Sequence, residues 1–146
     1  MYKVPDQTLA WIYRSFGSPS KVLVRQKIPV EPLTDDHVQL KLLGSPINPA
    51  DLNMIQGSYP IRPDLSKGIA VGGNEGLLQV CQVGRSVRDL KPGDWVLPAT
   101  QGLGLWRDYV TLMPNQLIKI PNSGSMVGAA TVAVNPCTGT DFTADA

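Results

Sequence analysis

Short runs rich in apolar and β-branched residues follow one another along most of the chain, and Gly, Pro and Ser separate them. This pattern is typical of short β-strands joined by turns. The first two runs, residues 8–13 and 21–28, predict a hairpin around a turn at residues 17–20. A turn and four further strands are also predicted: the turn at residues 91–94, and the strands at 77–83, 95–97, 105–112 and 117–120.

Residues 37–42 alternate strictly between polar and apolar side chains, which predicts a strand with one buried face. We expect the apolar side chains on that face and the polar ones towards water: Val38, Leu40 and Leu42 inside, and His37, Gln39 and Lys41 outside. His37 is thereby predicted to be a surface residue and not a ligand.

Residues 48–57 carry the end signals of a short helix. Asn48 is a suitable N-cap, Pro49 fits the first helical position, and Asp51 favours the positively polarised N-terminal end. Gly57 can end the helix in a left-handed conformation. The residues that follow it, including Tyr59, are predicted to leave the helix as a loop.

Six or seven short strands with little helix predict a mainly β fold, an all-β or strongly β-rich barrel. Residues 60–70 are predicted to be irregular because Pro and Gly interrupt them, and residues 126–130 to form a short helix. The length of 146 residues fits one domain with its own core. We predict this domain at residues 1–138 and a frayed tail at residues 139–146, which lack an apolar period.

Composition and charge argue against several classes of function. The formal net charge is +1 and no basic cluster exceeds two residues, so nucleic-acid binding is not expected. Prolines interrupt the longest uncharged stretch, residues 120–140, so no membrane span is predicted. Cys81 and Cys137 lie far apart and the single histidine has no ligand partner nearby, so we predict no metal. Residues 1–5 show neither a signal region nor a transit segment.

Glycine spacing argues against a nucleotide-binding module within this chain. The glycines of residues 72–76 precede a predicted strand instead of linking a strand to a helix, and those of residues 102–104 lack the third member of a dinucleotide fingerprint. The scarcity of histidine likewise weighs against Ser or Cys nucleophilic catalysis.

Candidate chemistry rests on polar and aromatic side chains beside turns. Tyr59 could donate a proton or hydrogen-bond an oxyanion, or it could be a packing or surface residue. Trp106 could form the wall of a pocket or belong to the core. Arg107 could pair with Asp108, bind a phosphate or be a solvated charge. Asn135, like Asn48, precedes a proline and could simply be a cap.

Five strings stand in one order along the chain: residues 47–59 (INPADLNMIQGSY), 71–76 (VGGNEG), 90–96 (LKPGDWV), 104–107 (GLWR) and 134–138 (VNPCT). Together they resemble the N-terminal, GroES-like catalytic domain of medium-chain dehydrogenases/reductases. More narrowly, they resemble the mitochondrial trans-2-enoyl-CoA reductases of fatty acid synthesis. The first two strings are the specific ones, whereas KPGD is shared across the superfamily.

The resemblance implies hydride transfer from NADPH to the β carbon of a 2-enoyl thioester while a proton reaches the α carbon. It implies that Tyr59 is catalytic, as proton donor or enolate-side hydrogen-bond donor, which suits a phenol because phenols are protonated at neutral pH. It also implies that Trp106 lines the acyl pocket and that Asn135 binds the cofactor. The expected partner is a thioester of CoA or acyl carrier protein, and the expected compartment is the mitochondrion.

Departures from the family pattern refine these expectations. The zinc-dependent branch carries Cys and His ligands where this chain reads PINP (46–49) and GNE (73–75), so the zinc-independent branch fits. Residues 66–68 resemble a small insertion behind the tyrosine loop.

Family members continue into a Rossmann cofactor domain, through which a homodimer can form, so we expect these 146 residues alone to be inactive. Two other functions stay open. One is a non-catalytic interaction or thioester-binding module, and the other is a quinone or alkenal reductase.

Overall fold

The computed structural model describes residues 3–132, in which the chain forms eight strands and three short α-helices. The strands are β1 (Gln7–Tyr13), β2 (Val24–Pro29), β3 (Val38–Gly44), β4 (Ala70–Val71), β5 (Leu77–Val83), β6 (Trp95–Pro98), β7 (Tyr109–Leu112) and β8 (Leu117–Ile120). The α-helices are α1 (Pro19–Val22), α2 (Pro49–Gln56) and α3 (Met126–Thr131), and short 3-10 turns span Leu65–Lys67 and Pro114–Gln116. The fold is mainly β, as the short apolar runs predict.

The strands form two antiparallel sheets that meet beside β1. One sheet has the order β2-β1-β4 and the other the order β7-β3-β5-β6-β8. An isolated bridge pairs Ala10 with Arg107, and the amide of Trp11 donates to the carbonyl of Trp106 at 2.9 Å. These bonds join the sheets into a partly open barrel.

Two apolar clusters hold the five-stranded sheet together and fix α2 against β1 and β4. The larger lies against the five-stranded sheet and consists of Val38, Leu40, Leu78, Val80, Leu90, Val96, Leu105, Val110 and Leu112. The smaller joins β1, α2 and β4 through Tyr13, Ile55 and Ala70, and Trp106 packs against it. Burial of each large side chain stabilises the fold by about 1.5 to 3 kcal/mol, so the second cluster holds α2 firmly on β1.

The predicted hairpin is confirmed, but the predicted start of its second strand is wrong. Gln7 pairs with Pro29 and Ile12 pairs with Val24 in an antiparallel register. Residues 21 and 22 belong instead to α1, which has Pro19 in its first turn. Proline is preorganised for that position, so the segment begins with a helical turn and the strand starts only at Val24.

The prediction that Gln39 faces water is wrong. Its residue surface is only 8% exposed, and its Nε2 donates to the carbonyl of Glu31 at 3.2 Å. Thr111, its partner on β7, also donates to the carbonyl of Glu31, so the chain at Glu31 covers the face of β3 that the alternation assigned to water. His37 keeps 29% of its side chain exposed and lies 2.7 Å from the carboxylate of Asp36.

The predicted strand at residues 105–112 is shorter than expected. Only Tyr109–Leu112 is a strand, because Leu105 and Trp106 donate their amides to the carbonyls of Gly73 and Gly72 at 3.0 and 2.8 Å. Arg107 is not a solvated charge: burial lowers the pKa of its guanidinium, and its Nη2 donates to the carbonyl of Leu103 at 3.0 Å. The segment therefore packs against the glycines instead of extending the sheet.

Candidate active site

The end of α2 fixes the loop that carries Tyr59. Gly57 has a φ of 78°, as its predicted left-handed role requires. The amides of Ser58 and Tyr59 then both donate to the carbonyl of Asn53, at 3.0 and 3.2 Å. These bonds satisfy a carbonyl at the helix end and set the direction in which the tyrosine leaves the helix.

The Tyr59 hydroxyl donates a hydrogen bond to Oε1 of Gln101 at 3.3 Å. This bond is long and lies at the surface, so the phenol can exchange its partner at little cost. Gln101 belongs to a loop that begins after β6 and is remote from the tyrosine in sequence. The contact joins the tyrosine loop to the glycine-rich loop that precedes Trp106.

Gln101 lines a cavity of about 270 Å³ beside α2, which we call the α2 cavity. Its wall combines polar groups with apolar side chains and glycine backbone. The lining residues are Tyr13, Asp51, Met54, Ile55, Ile61, Arg62, Pro63, Val71, Gly72, Gly73, Asn74, Gln101, Gly102 and Gly104. Tyr59 is not one of these lining residues, but it contacts one of them, Gln101, and we call this position the rim of the cavity.

A hydrogen-bonded pair, Asp51 and Asn74, forms the polar part of the cavity wall. Oδ1 of Asp51 accepts from the backbone amide of Asn74 at 3.1 Å and from its Nδ2 at 2.9 Å. Oδ2 of Asp51 accepts from the backbone amide of Asn48 at 2.8 Å. Burial raises the pKa of Asp51, and these bonds oppose that shift. The pair holds residues 71–76, which we call the glycine string, against the first turn of α2.

A second buried contact lies behind the first. Nδ2 of Asn48 donates to Oε2 of Glu75 at 2.8 Å, and Glu75 is fully buried. These residues belong to the two segments in which the zinc-dependent branch is expected to carry metal ligands. In this chain the two segments are joined by a side-chain hydrogen bond.

Replacing Asn74 by Asp is expected to destabilise the fold at pH 7 by about 1 to 3 kcal/mol. The new carboxylate would take the position of Nδ2, which lies 2.9 Å from Oδ1 of Asp51. Two carboxylates in contact share one proton, so the folded variant binds that proton more tightly than the unfolded chain does. The loss should therefore be present at neutral pH and fade as the pH falls through the raised pKa towards about 3.9.

Urea denaturation across this pH range measures the effect, with Asn115→Asp as the matched control. Asn115 is exposed, so the same chemical change there should leave the free energy of unfolding within about 0.5 kcal/mol of the parent protein. A loss at position 74 that does not depend on pH would contradict the contact between the two carboxylates.

Trp106 lies against the backbone of the glycine string. A Cβ atom on Gly72 would come within 2.5 Å of its ring, and one on Gly73 within 2.3 Å. Trp106 lines a different cavity, of about 520 Å³, which also contacts Trp11, Ile47 and Arg107. The two predicted aromatic residues thus belong to different cavities: Tyr59 contacts a lining residue of the α2 cavity, and Trp106 lines the other one.

Asn135, the predicted cofactor-binding residue, lies outside the described residues, as does the boundary predicted at residue 138. The sequence analysis did not single out Tyr13, Asn74 or Gln101 as site residues. One local signal was available, because an Asn followed three residues later by Asp can form a reciprocal cap. The other contacts arise only from tertiary packing.

Residues 3–132 contain no group of three or more His, Cys, Asp or Glu side chains arranged to hold a metal ion. None of the helices described there has the length and apolar character that a bilayer crossing requires.

A family model described as the alcohol dehydrogenase GroES-like domain matches residues 34–122. The chain is 45% identical over 134 residues to the mitochondrial enoyl-[acyl-carrier-protein] reductase of Bos taurus, covering 92% of this chain and 35% of that protein. It thus spans about a third of the length of the curated relatives it matches.

Two solved structures are similar over the same region. Etr1p in complex with NADP and crotonyl-CoA has a TM-score of 0.86 and 35% sequence identity, covering 92% of this chain and 42% of that one. The mitochondrial 2-enoyl thioester reductase Etr1p/Etr2p heterodimer from Candida tropicalis has a TM-score of 0.85 and 36% identity, with coverage of 92% and 42%. The barrel and the matched residues 34–122 confirm the predicted fold, and the chain belongs to the alcohol dehydrogenase GroES-like domain family.

Proposed function

We propose that this chain is the catalytic-domain portion of an NADPH-dependent 2-enoyl thioester reductase of mitochondrial fatty acid synthesis. The observation that carries the proposal is Tyr59, a phenol held at the rim of the α2 cavity by the end of α2 and by Gln101. The names of its relatives support the same class of reaction and compartment. The substrate would be a thioester of CoA or of acyl carrier protein.

In the proposed reaction the cofactor supplies a hydride to the β carbon and a proton is added to the α carbon. This chain would contribute the Tyr59 hydroxyl, which donates either the proton or a hydrogen bond to the enolate oxygen. The bond from the Tyr59 hydroxyl to Gln101 is long and exposed, so the hydroxyl can turn from Gln101 to a substrate at little cost. The apolar wall of the cavity, including Met54 and Ile55, would keep water from the reacting carbon.

Residues 3–132 do not fit the phosphates of NADPH. Such phosphates are usually held by free amides at a helix N-terminus. The longest described helix, α2, begins beside the buried carboxylates of Asp51 and Glu75, which would repel a phosphate. We therefore assign phosphate binding to a further domain of the complete protein, and Asn135 to the nicotinamide end of the cofactor.

These 146 residues alone are expected to bind NADPH with a dissociation constant weaker than about 1 mM, a binding free energy of less than about 4.1 kcal/mol. The reason is the lack of fit between the described residues and the phosphates. Calorimetric titration measures the constant, and the same titration on a protein completed by the family's cofactor domain is the positive control. A micromolar constant for the short chain would contradict this account.

Steady-state assays of the completed protein test the proposed function. With NADPH present, crotonyl-CoA should be reduced with a higher kcat/KM than a quinone or a simple alkenal. Preference for the quinone would instead assign the chain to a quinone reductase. Binding of butyryl-CoA without turnover of any of the three would assign it to a non-catalytic thioester-binding module.

A further inference from the structure

A second phenol lies at the α2 cavity. Tyr13 is the last residue of β1, pairs with Ala70 of β4 and is only 2% exposed. Its ring packs between Ile55 and Ala70, and the residue also lines the α2 cavity. The ring is thus fixed by packing while one part of the side chain reaches the cavity.

That part is the hydroxyl. No hydrogen bond of the Tyr13 hydroxyl occurs among residues 3–132, where Arg107 Nε is the fully buried side-chain polar atom without a partner. The Tyr13 hydroxyl is therefore not sealed in the core, and the opening available to it is the cavity that the residue lines. Burial raises the pKa of Tyr13, so the phenol is neutral and able to donate at physiological pH.

The neighbouring polar groups are already engaged. Asp51 accepts from Asn48 and Asn74, and Asn74 accepts from the amide of Gly102 at 2.8 Å as well. Among residues 3–132, the Tyr13 hydroxyl is thus a buried donor at the cavity without a partner, whereas the other side-chain donors of the wall, Arg62 and Gln101, are exposed. An apolar ligand atom there would leave the hydroxyl unpaired, which is unfavourable, whereas a carbonyl oxygen would satisfy it.

We infer that the Tyr13 hydroxyl binds a carbonyl oxygen of the ligand that occupies the α2 cavity. This inference rests on the proposed function, under which the carbonyl belongs either to the thioester of the substrate or to the carboxamide of the nicotinamide. Tyr59 would act on the reacting carbon from the rim, and Tyr13 would hold the ligand from the inner wall. Tyr13 is thus a binding residue and not a proton donor.

The test compares the parent protein, completed by the family's cofactor domain, with its Tyr13→Phe variant. Dissociation constants are measured by calorimetry for butyryl-CoA and for NADPH separately, and kcat is measured with crotonyl-CoA. Loss of one neutral hydrogen bond should weaken binding of one of the two ligands by about 3- to 10-fold. Weaker butyryl-CoA binding identifies the thioester carbonyl, and weaker NADPH binding identifies the carboxamide. If the thioester carbonyl is the partner, kcat should fall as well, because the hydrogen bond strengthens as enolate charge develops on that oxygen.

Thermal unfolding and a control variant complete the test. The variant should melt within about 2 °C of the parent protein, because the hydroxyl has no partner within the described part of the chain, residues 3–132. Tyr109→Phe removes a phenol from β7 and should change neither constant. Two unchanged constants would overturn the inference, as would a variant that melts much earlier or does not fold, since the hydroxyl would then be structural. A protein that binds both ligands but reduces no thioester would refute the proposed function and leave the binding test of Tyr13 intact.

Discussion

Replacing Tyr59 by Phe, in a protein completed by the family's cofactor domain, is expected to slow the reduction of crotonyl-CoA by about 10²- to 10⁴-fold. This range corresponds to about 2.7 to 5.5 kcal/mol of activation free energy. The variant loses the group that would protonate the α carbon or stabilise the enolate. It keeps the aromatic ring, so packing at the cavity rim is preserved.

The stability of the same variant should hardly change. The hydroxyl forms one exposed bond of 3.3 Å to Gln101, and such a bond contributes little to the folded state. The free energy of unfolding should stay within about 0.5 kcal/mol of the parent value. A large loss of rate with unchanged stability is the signature of a catalytic group.

Tyr109→Phe is a suitable control because it removes the same hydroxyl from a residue of β7 outside the α2 cavity. It should leave both kcat and kcat/KM within about twofold. Single-turnover measurements separate the chemical step from product release. If Tyr59→Phe changes the rate of the chemical step by less than about threefold, Tyr59 is a packing residue and the catalytic assignment fails.

Local sequence signals explain why the helix and the loop that carry Tyr59 were predictable. Asn48, Pro49 and Gly57 mark the two ends of α2, and each acts through its own backbone or its immediate neighbours. The tyrosine loop follows directly, so the position of Tyr59 at the end of a short helix follows from the sequence. Most strand positions were predictable for a similar reason, because turn residues flank the apolar runs.

The partners within the site depend on contacts that no local pattern encodes. Gln101 lies 42 positions after Tyr59, and Asn74 lies 23 positions after Asp51. Tyr13 reaches the cavity only because β1 pairs with β4 and thereby faces α2. A sequence can show that a residue type suits a role. Residues this far apart in sequence come into contact only through the sheet pairing and the packing of α2.

Two of the errors, at Gln39 and at residues 105–112, have their origin in tertiary contacts. Gln39 is buried because its face of β3 contacts the carbonyl of Glu31, to which Thr111 of β7 also donates. Leu105 and Trp106 have the composition of a strand, yet their amides bond to Gly73 and Gly72 and the Trp106 ring lies against these glycines. In both cases tertiary contacts decide an outcome that the local pattern does not encode.

That pairing makes Gly73 the glycine whose replacement should affect the site most. Gly73→Ala is expected to lower the free energy of unfolding by about 2 to 5 kcal/mol. Its φ of 95° is unfavourable for alanine, at a cost of about 1 to 2 kcal/mol. The added methyl would also lie 2.3 Å from Cδ1 and 2.7 Å from Nε1 of Trp106, so the ring has to move.

Gly93→Ala separates these two effects because Gly93 has nearly the same backbone, with a φ of 94°. A Cβ atom there would meet nothing within 4 Å. The control should show the backbone cost alone, and Gly73→Ala should lose about 1 to 3 kcal/mol more than it does. Urea denaturation of both variants gives the comparison.

A double-mutant cycle with Trp106→Ala tests whether the ring causes the excess. Without the indole the three atoms nearest to the methyl at position 73 are removed, so the additional loss should vanish and Gly73→Ala should cost about as much as Gly93→Ala. If the excess persists without the ring, Trp106 is not what excludes a side chain from the glycine string. If it vanishes, the glycines are required because an indole covers them.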